Sequence, residues 1–266
     1  MSKSPIRRKK NSVPSFGYSA PALEKGMDIV ELLSESDTGL LISEIATRLK
    51  RGMSVLFRVI VVLERRGWIQ KDPETSRFRI SYRMLQIAHR GTPAQSLTLA
   101  ASPVMHDLST RINQSCHLVI RVGSQGLVIL RHENQKRHAN LSVRLGATIK
   151  LTAGTSGHVL LASLGREELD DVLALIPAPW EISRNALRKS LDRIRKRGYE
   201  LRKSPMTAGV TDISYPIRGF DGRVVAALTV PYLHVLDSSL PTTVEQTRRL
   251  LDEAARRISR SLGDMP

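Results

Sequence analysis

Between Pro21 and Ile80 the hydrophobic period changes from that of helices to that of strands, and this change limits the fold more than any other feature. Pro21 suits a first helical turn, and Leu23, Met27, Val30 and Leu33 recur behind it at helical spacing. Asp37-Thr38-Gly39 interrupts the stripe. Ile42, Ile45, Ala46 and Leu49 then share one face of a second short helix, and Arg51-Gly52 supplies a tight connector. A third helix over Ser54–Arg66 sets Leu56, Val59, Ile60 and Leu63 on one side, and Gly67 stands where a helix should stop. After it the period is two: Trp68–Lys71 and Arg77–Ile80 read as strands, joined by Asp72-Pro73-Glu74-Thr75-Ser76 with turn chemistry. Three short helices followed by a basic hairpin is the plan of a winged helix-turn-helix, whose third helix enters the DNA major groove while the hairpin meets the backbone.

The charge agrees with that plan. The 266 residues carry 41 Lys and Arg against 25 Asp and Glu, a net of +16. Residues 1–90 hold half of the excess in a third of the length, a field that attracts phosphate polyanions and is screened by salt. A basic but inert surface would carry the same charge. Aromatic residues make up 4%, too few for a stacking surface for single strands. One cysteine, Cys116, excludes a disulfide scaffold and a CxxC zinc module and suits a reducing cytoplasm. No apolar run approaches the roughly 20 residues of a membrane helix, and no apolar stretch follows the N-terminal charges. The expectation is a cytoplasmic protein with no membrane partner.

The expected class is α+β, in four parts. Residues 1–20, with Arg7-Arg8-Lys9-Lys10, read as a disordered basic arm; 21–80 as the winged helix; 81–94 as a linker helix; 95–266 as a second domain. In the last, Gln95–Asn113 is helical, and Cys116–Val122 and Leu127–Arg131 form a hairpin. Helices follow over Thr155–Leu164 and Arg166–Leu175, and Ser183 caps another that ends at Gly198. Strands fall around Tyr199–Arg202, Thr211–Ile217 and Arg223–Val230, with Asp221-Gly222 as a hairpin turn. A helix over Thr242–Leu262 closes the chain.

With these residues in view, the chain resembles the IclR family of bacterial transcriptional regulators. The stretch ISEIATRLKRGMSVLFRVIVVLERRGWIQKDPETSRFRI is similar to the family's winged helix, and KLTAGTSGHVLLASL, RKRGYELRKSPMTAGVTDISYPI and FDGRVVAALTV follow in the family's order. The resemblance implies a GAF-like effector-binding domain behind the DNA reader, a homodimer or dimer of dimers on a double-stranded operator, and no cofactor.

On the third helix the outward positions are Met53, Ser54, Phe57, Arg58 and Val61, and Arg58 can serve phosphate or a guanine edge. Family members usually begin this helix with Lys-Ser-Thr, where this chain has Met53-Ser54-Val55, so apolar contacts replace polar ones. Phe57 and Val61 suit core or dimer contacts equally well. Lys50 and Arg51 flank the turn as phosphate clamps, and Lys71, Arg77 and Arg79 lie on the wing, with Phe78 and Ile80 inward and both arginines outward. For the effector, the resemblance points to Leu151, Thr155, Ser156 and Gly157 around the start of a helix, and to Arg202, Lys203, Asp212 and Thr229 on strands. The glycines and hydroxyls of the helix start suit an anion cradle, or simply a cap with glycines for packing. Asp212 stands where the family often has cysteine, and His158 where it often has lysine. Asp212 therefore pairs either with a ligand or with Arg202 or Lys203. An enzyme on the same fold would need Asp212, His158 and Thr155 or Ser156 within hydrogen-bond reach of one another. No metal motif is present, and His132 and His138 stand among cations.

Overall fold

The computed structural model describes residues 19–91, 94–133, 141–180, 182–234 and 241–264. Most of the expected arm, and His138, lie outside these. The chain divides into two compact units, Met1–Thr92 and Pro93–Pro266.

The first unit runs α1 (Pro21–Ser34), α2 (Ile42–Leu49), α3 (Met53–Arg65), β1 (Ile69–Lys71), β2 (Phe78–Ile80) and α4 (Tyr82–Gly91). Its core gathers Ile29 and Leu33 from α1, Ile45 from α2, Leu56 and Ile60 from α3, and Ile69 and Phe78 from the hairpin. The expected stripe of α1 is rotated. Gly26, Ile29 and Leu33 face inward, while Leu23 and Met27 are more than half exposed. Gly26 lies on this inward face, where a Cβ would stand 3.6 Å from Val59 and 3.9 Å from Leu63 of α3, an ordinary contact distance. The connector differs as well. Lys50 takes the left-handed turn at φ 53°, and Gly52 has an ordinary extended conformation as the N-cap of α3.

The second unit holds α5 (Ala94–Ile112), β3 (Cys116–Val122), β4 (Gln125–His132), β5 (Thr148–Lys150), α6 (Thr155–Ala162), α7 (Arg166–Ala174), α8 (Arg184–Arg197), β6 (Glu200–Lys203), β7 (Val210–Arg218), β8 (Val224–Leu233) and α9 (Val244–Ser261). The strands form one antiparallel sheet in the order β5-β4-β3-β8-β7-β6, so β3 and β8, far apart in sequence, pair at its centre. Both faces are covered, as an α+β plan requires. Leu118, Ile213, Ile217 and Leu228 meet α5 and α9 on one face. Val119, Val128 and Ala227 meet α6, α7 and α8 on the other. Ser183 accepts from the Ala186 N–H at the start of α8, and Gly198 ends that helix at φ 83°. The short strand β5 carries no clear alternation and escapes a sequence reading.

All eight residues of α6 are buried. The helix lies against the segment before it because residue 157 is glycine: a Cβ there would stand 2.3 Å from the Leu151 carbonyl oxygen and 2.6 Å from its Cα. Gly157→Ala is expected to lower stability by more than about 2 kcal/mol, since backbone must move to relieve the overlap. At Gly154 a Cβ meets nothing nearer than 3.9 Å, and Gly154→Ala should cost about 1 kcal/mol or less. Urea unfolding of both variants checks the pair; equal losses would contradict the close approach.

Candidate functional site

In the first unit, α3 turns its apolar side into the core and leaves Met53, Ser54, Phe57, Arg58 and Val61 exposed. Phe57 and Val61 are therefore surface residues and not core. Arg58 has no ion-pair or hydrogen-bond partner among the described residues, so its guanidinium is available. Lys50 and Arg51 stand at the turn that precedes the helix; Arg51 reaches Asp28 at 3.4 Å, an exposed pair worth less than about 1 kcal/mol. Lys71 and Arg79 are exposed on the hairpin, with the Lys71 ammonium 6.0 Å from the Phe78 ring.

Arg77 corrects the expectation for the wing. Its side chain turns back: Nη1 donates to Glu44 at 2.9 Å and to the Gly39 carbonyl at 3.0 Å. The same carboxylate accepts from the Leu41 N–H at 2.8 Å. These bonds, the Leu41 N–H foremost, hold the Glu44 carboxyl below its ordinary range. Strand alternation placed Arg77 outward, but Leu40 pairs with Phe78 and brings the start of α2 under the arginine. Arg77 ties the hairpin to α2.

In the second unit the register sets a polar layer beneath α6. Arg202 stands opposite Asp212, Glu200 opposite Ser214, and Thr229 opposite both Ser214 and His117, all on one face. Ser214 and Thr229 share a hydrogen bond of 2.8 Å. Ser190 of α8 donates to Glu200 at 3.2 Å, and Arg197 holds the other oxygen of that carboxylate at 2.9 Å. Arg202 points Nη2 onto the Ala153 carbonyl and leaves its Nε buried with no partner among the described residues. Leu151, Thr155, Ser156 and Gly157 are buried at the start of α6, whose N-cap Gly154 provides no side-chain bond. Burial raises the Asp212 carboxyl above its ordinary pKa, while a Ser204 hydrogen bond and Arg202 pull it down.

Lys203 is not gathered here. One residue past Arg202, it falls on the opposite face and is exposed, as a period of two requires. Nor does Asp212 form an ion pair with Arg202 or Lys203 among the described residues. His158 makes no hydrogen bond to Asp212, Thr155 or Ser156. The His158 ring nitrogens face the Thr152 carbonyl at 3.0 Å and Ser190 at 3.4 Å, neither of them Thr155, Ser156 or Asp212. Sequence reasoning missed His117, Ser190, Glu200 and Ser214. The alternation Glu200-x-Arg202 and Asp212-x-Ser214 carried the signal for the two strand pairs.

Burial pushes His158 and His117 down to about 4; Arg202 and Arg193 add to the effect at His158, and the Thr152 carbonyl opposes it. Each imidazole is neutral in the folded state and binds a proton more readily when unfolded. Their stabilisation is complete above pH 6.5, the ordinary value, and is lost as pH falls toward 4. The ceiling is about 3 kcal/mol for each. Unfolding free energy should therefore drop between pH 7 and pH 5, with a shallower slope in His158→Gln. An unchanged slope in that variant would contradict a buried neutral imidazole.

Comparison with known proteins supplies the family. Residues 22–73 match the IclR helix-turn-helix domain, and residues 92–260 match the bacterial transcriptional regulator IclR C-terminal domain. The HTH-type transcriptional regulator XynR of Escherichia coli K12 is 30% identical over 250 residues, covering 91% of this chain and 97% of its own. The HTH-type transcriptional repressor AllR of Klebsiella pneumoniae is 26% identical over 95% of this chain and 94% of its own. Among solved structures, an IclR homolog from Microbacterium hydrocarbonoxydans complexed with 4-hydroxybenzoate superposes with a TM-score of 0.77 at 27% identity, covering 91% of this chain and 98% of that one. The Thermotoga maritima IclR shares the fold, with a TM-score of 0.69 at 24% identity and the same coverage. The chain belongs to the IclR family of DNA-binding bacterial transcriptional regulators.

Proposed function

We propose that the protein is a cytoplasmic regulator that binds a double-stranded operator as a homodimer and releases or retains it according to a small organic acid held under α6. It performs no catalytic turnover. The observation that carries this reading is the buried, unpartnered Nε of Arg202 beside Asp212, whose carboxyl is raised by burial. A ligand carboxylate would satisfy Arg202 and the free N–H groups at the start of α6, with Leu151, Thr155, Ser156 and Gly157 forming the wall. A ligand hydroxyl would meet Asp212, with Thr229 deeper in the layer. The 4-hydroxybenzoate held by the Microbacterium hydrocarbonoxydans relative has both groups, which supports a hydroxy acid as the class.

In the DNA reader, Arg58 reads a base edge or phosphate, and Met53, Phe57 and Val61 offer apolar contacts of the kind thymine methyls accept. Ser54, Lys50, Arg51, Lys71 and Arg79 position the helix on the backbone, and Arg77 serves the fold instead. A dimer sets two third helices about 34 Å apart, in successive major grooves. Ligand acts only through its unequal affinity for arrangements that do and do not match that spacing.

Two variants test this together by fluorescence anisotropy on operator DNA with a panel of hydroxy acids. Arg58→Ala should weaken specific binding by about 1–3 kcal/mol if it reads a base, and uniformly across sequences if it holds phosphate. Asp212→Ala should abolish the ligand response while DNA affinity stays near normal. A response that survives in Asp212→Ala would overturn the ligand assignment.

A further inference from the structure

Past the start of β6, strand β7 runs on without an outer neighbour: Ser214 is its last residue paired with β6, and Pro216–Arg218 continue alone on that side. The notch left there is a cleft of about 630 Å³, with the end of α8 on one side and α9 on the other. Its size suits a small molecule and not a flat macromolecular surface. Arginines dominate its walls, namely Arg197, Arg218, Arg248, Arg256 and Arg260, against Asp252 and Asp264.

Three of these cations are already committed. Arg197 pairs with Glu200, Arg248 with Glu245 and the Tyr215 hydroxyl, and Arg256 with Asp252 through two bonds of 3.0 Å. Arg218 and Arg260 are different. Each gives its only side-chain hydrogen bond to a backbone carbonyl, of Gly222 and Arg256 respectively, and neither has a carboxylate partner among the described residues. A neighbouring cleft shares Gly198, Pro216 and Arg218 but lies on the other side of the sheet edge. There Arg121, Arg195 and Arg223 are neutralised by Glu168, Asp192 and Asp221. Arg218 borders both clefts and Arg260 only the α9 cleft, so the α9 cleft is the one that both of these guanidiniums line.

Its aromatic floor is also spoken for. Tyr199 stacks on Tyr215 with ring centres 5.0 Å apart, and the Arg197 and Arg248 guanidiniums lie 4.7 and 5.0 Å from the Tyr199 ring centre. The Tyr199 ring is thus already engaged by Tyr215 and two guanidiniums, so recognition would run through charge. Beyond its one carbonyl bond, each of the two guanidiniums keeps one pair of N–H groups, Nε and Nη2 on Arg218 and Nη1 and Nη2 on Arg260, which suits an anion with two phosphate groups.

We propose that the cleft between β7 and α9 is a second ligand site, separate from the layer under α6, for a small molecule bearing a diphosphate group. The proposal does not rest on the reading of the α6 layer, and its failure would leave that reading intact.

The test is calorimetric titration of the full chain with inorganic pyrophosphate, at an ionic strength fixed with sodium chloride. Saturable binding of one pyrophosphate per chain is expected, at least tenfold tighter than inorganic phosphate. The double variant Arg218→Ala/Arg260→Ala should weaken it tenfold or more, while Arg223→Ala, on the hairpin tip, should not change it. Both altered side chains of the double variant are exposed and bond only to backbone carbonyls, so the fold should persist, with operator affinity as the control. No saturable heat, or equal affinity in the double variant, would overturn the proposal. So would phosphate binding as tightly as pyrophosphate. A double variant that loses operator affinity, with no pyrophosphate binding in the parent, would make the cleft a DNA-backbone contact and overturn it equally.

Discussion

Everything in the second unit depends on how closely α6 can lie against the segment that precedes it. The helix is buried along its whole length, and the absence of a side chain at Gly157 lets the Leu151 backbone pass within contact distance. That approach closes the unit over a sheet face that is not apolar throughout. His117, Glu200, Ser214 and Thr229 are buried there, and each polar group needs a partner because burial without one costs far more than a hydrogen bond returns. Ser190, Arg197 and the Ser214–Thr229 pair meet most of that need. Arg202 Nε is buried without a partner among the described residues, and it lies next to the start of α6. A packing constraint and a ligand opportunity thus meet at one place in the fold.

Much of this architecture was legible in the sequence, for identifiable reasons. Helix α3 was readable because Leu56, Val59, Ile60 and Leu63 keep strict helical spacing and Gly67 ends it. The cap and stop of α8 were readable from Ser183 and Gly198, residues whose chemistry fits one backbone geometry. The failures have physical causes of the same kind. The face of α1 was displaced because one of the residues it buries is Gly26, which a hydrophobic count does not see. Arg77 was placed outward because alternation knows nothing of Leu40 and Glu44, which come to it from a distant part of the chain.

The candidate sites divide in the same way. Exposure of Ser54 and Arg58 follows from one helix period, whereas Phe57 suited a core or a dimer contact equally in the sequence and only the fold puts it on the surface. The polar layer is a matter of register: it takes β3 beside β8 and β7 beside β6 to bring His117, Thr229, Ser214 and Glu200 into one row. Lys203 left the site for the corresponding reason, a single step along a strand. The α9 cleft was hidden more deeply, since the acidic partners of the other arginines, eleven of them among the described residues, would have to be assigned before the free ones stood out.

Whether the basic first unit reads sequence or merely attracts phosphate is the question on which the functional account turns. The most direct measurement is binding of the purified chain to the DNA upstream of its own gene, against random DNA of equal length, at low and high salt. Counterion release weakens both complexes as salt rises, but base contacts survive it. The account predicts that preference for the upstream fragment persists and grows at the higher salt. Equal and equally salt-labile binding to both fragments would contradict it, leaving the charge as a generic polyanion field.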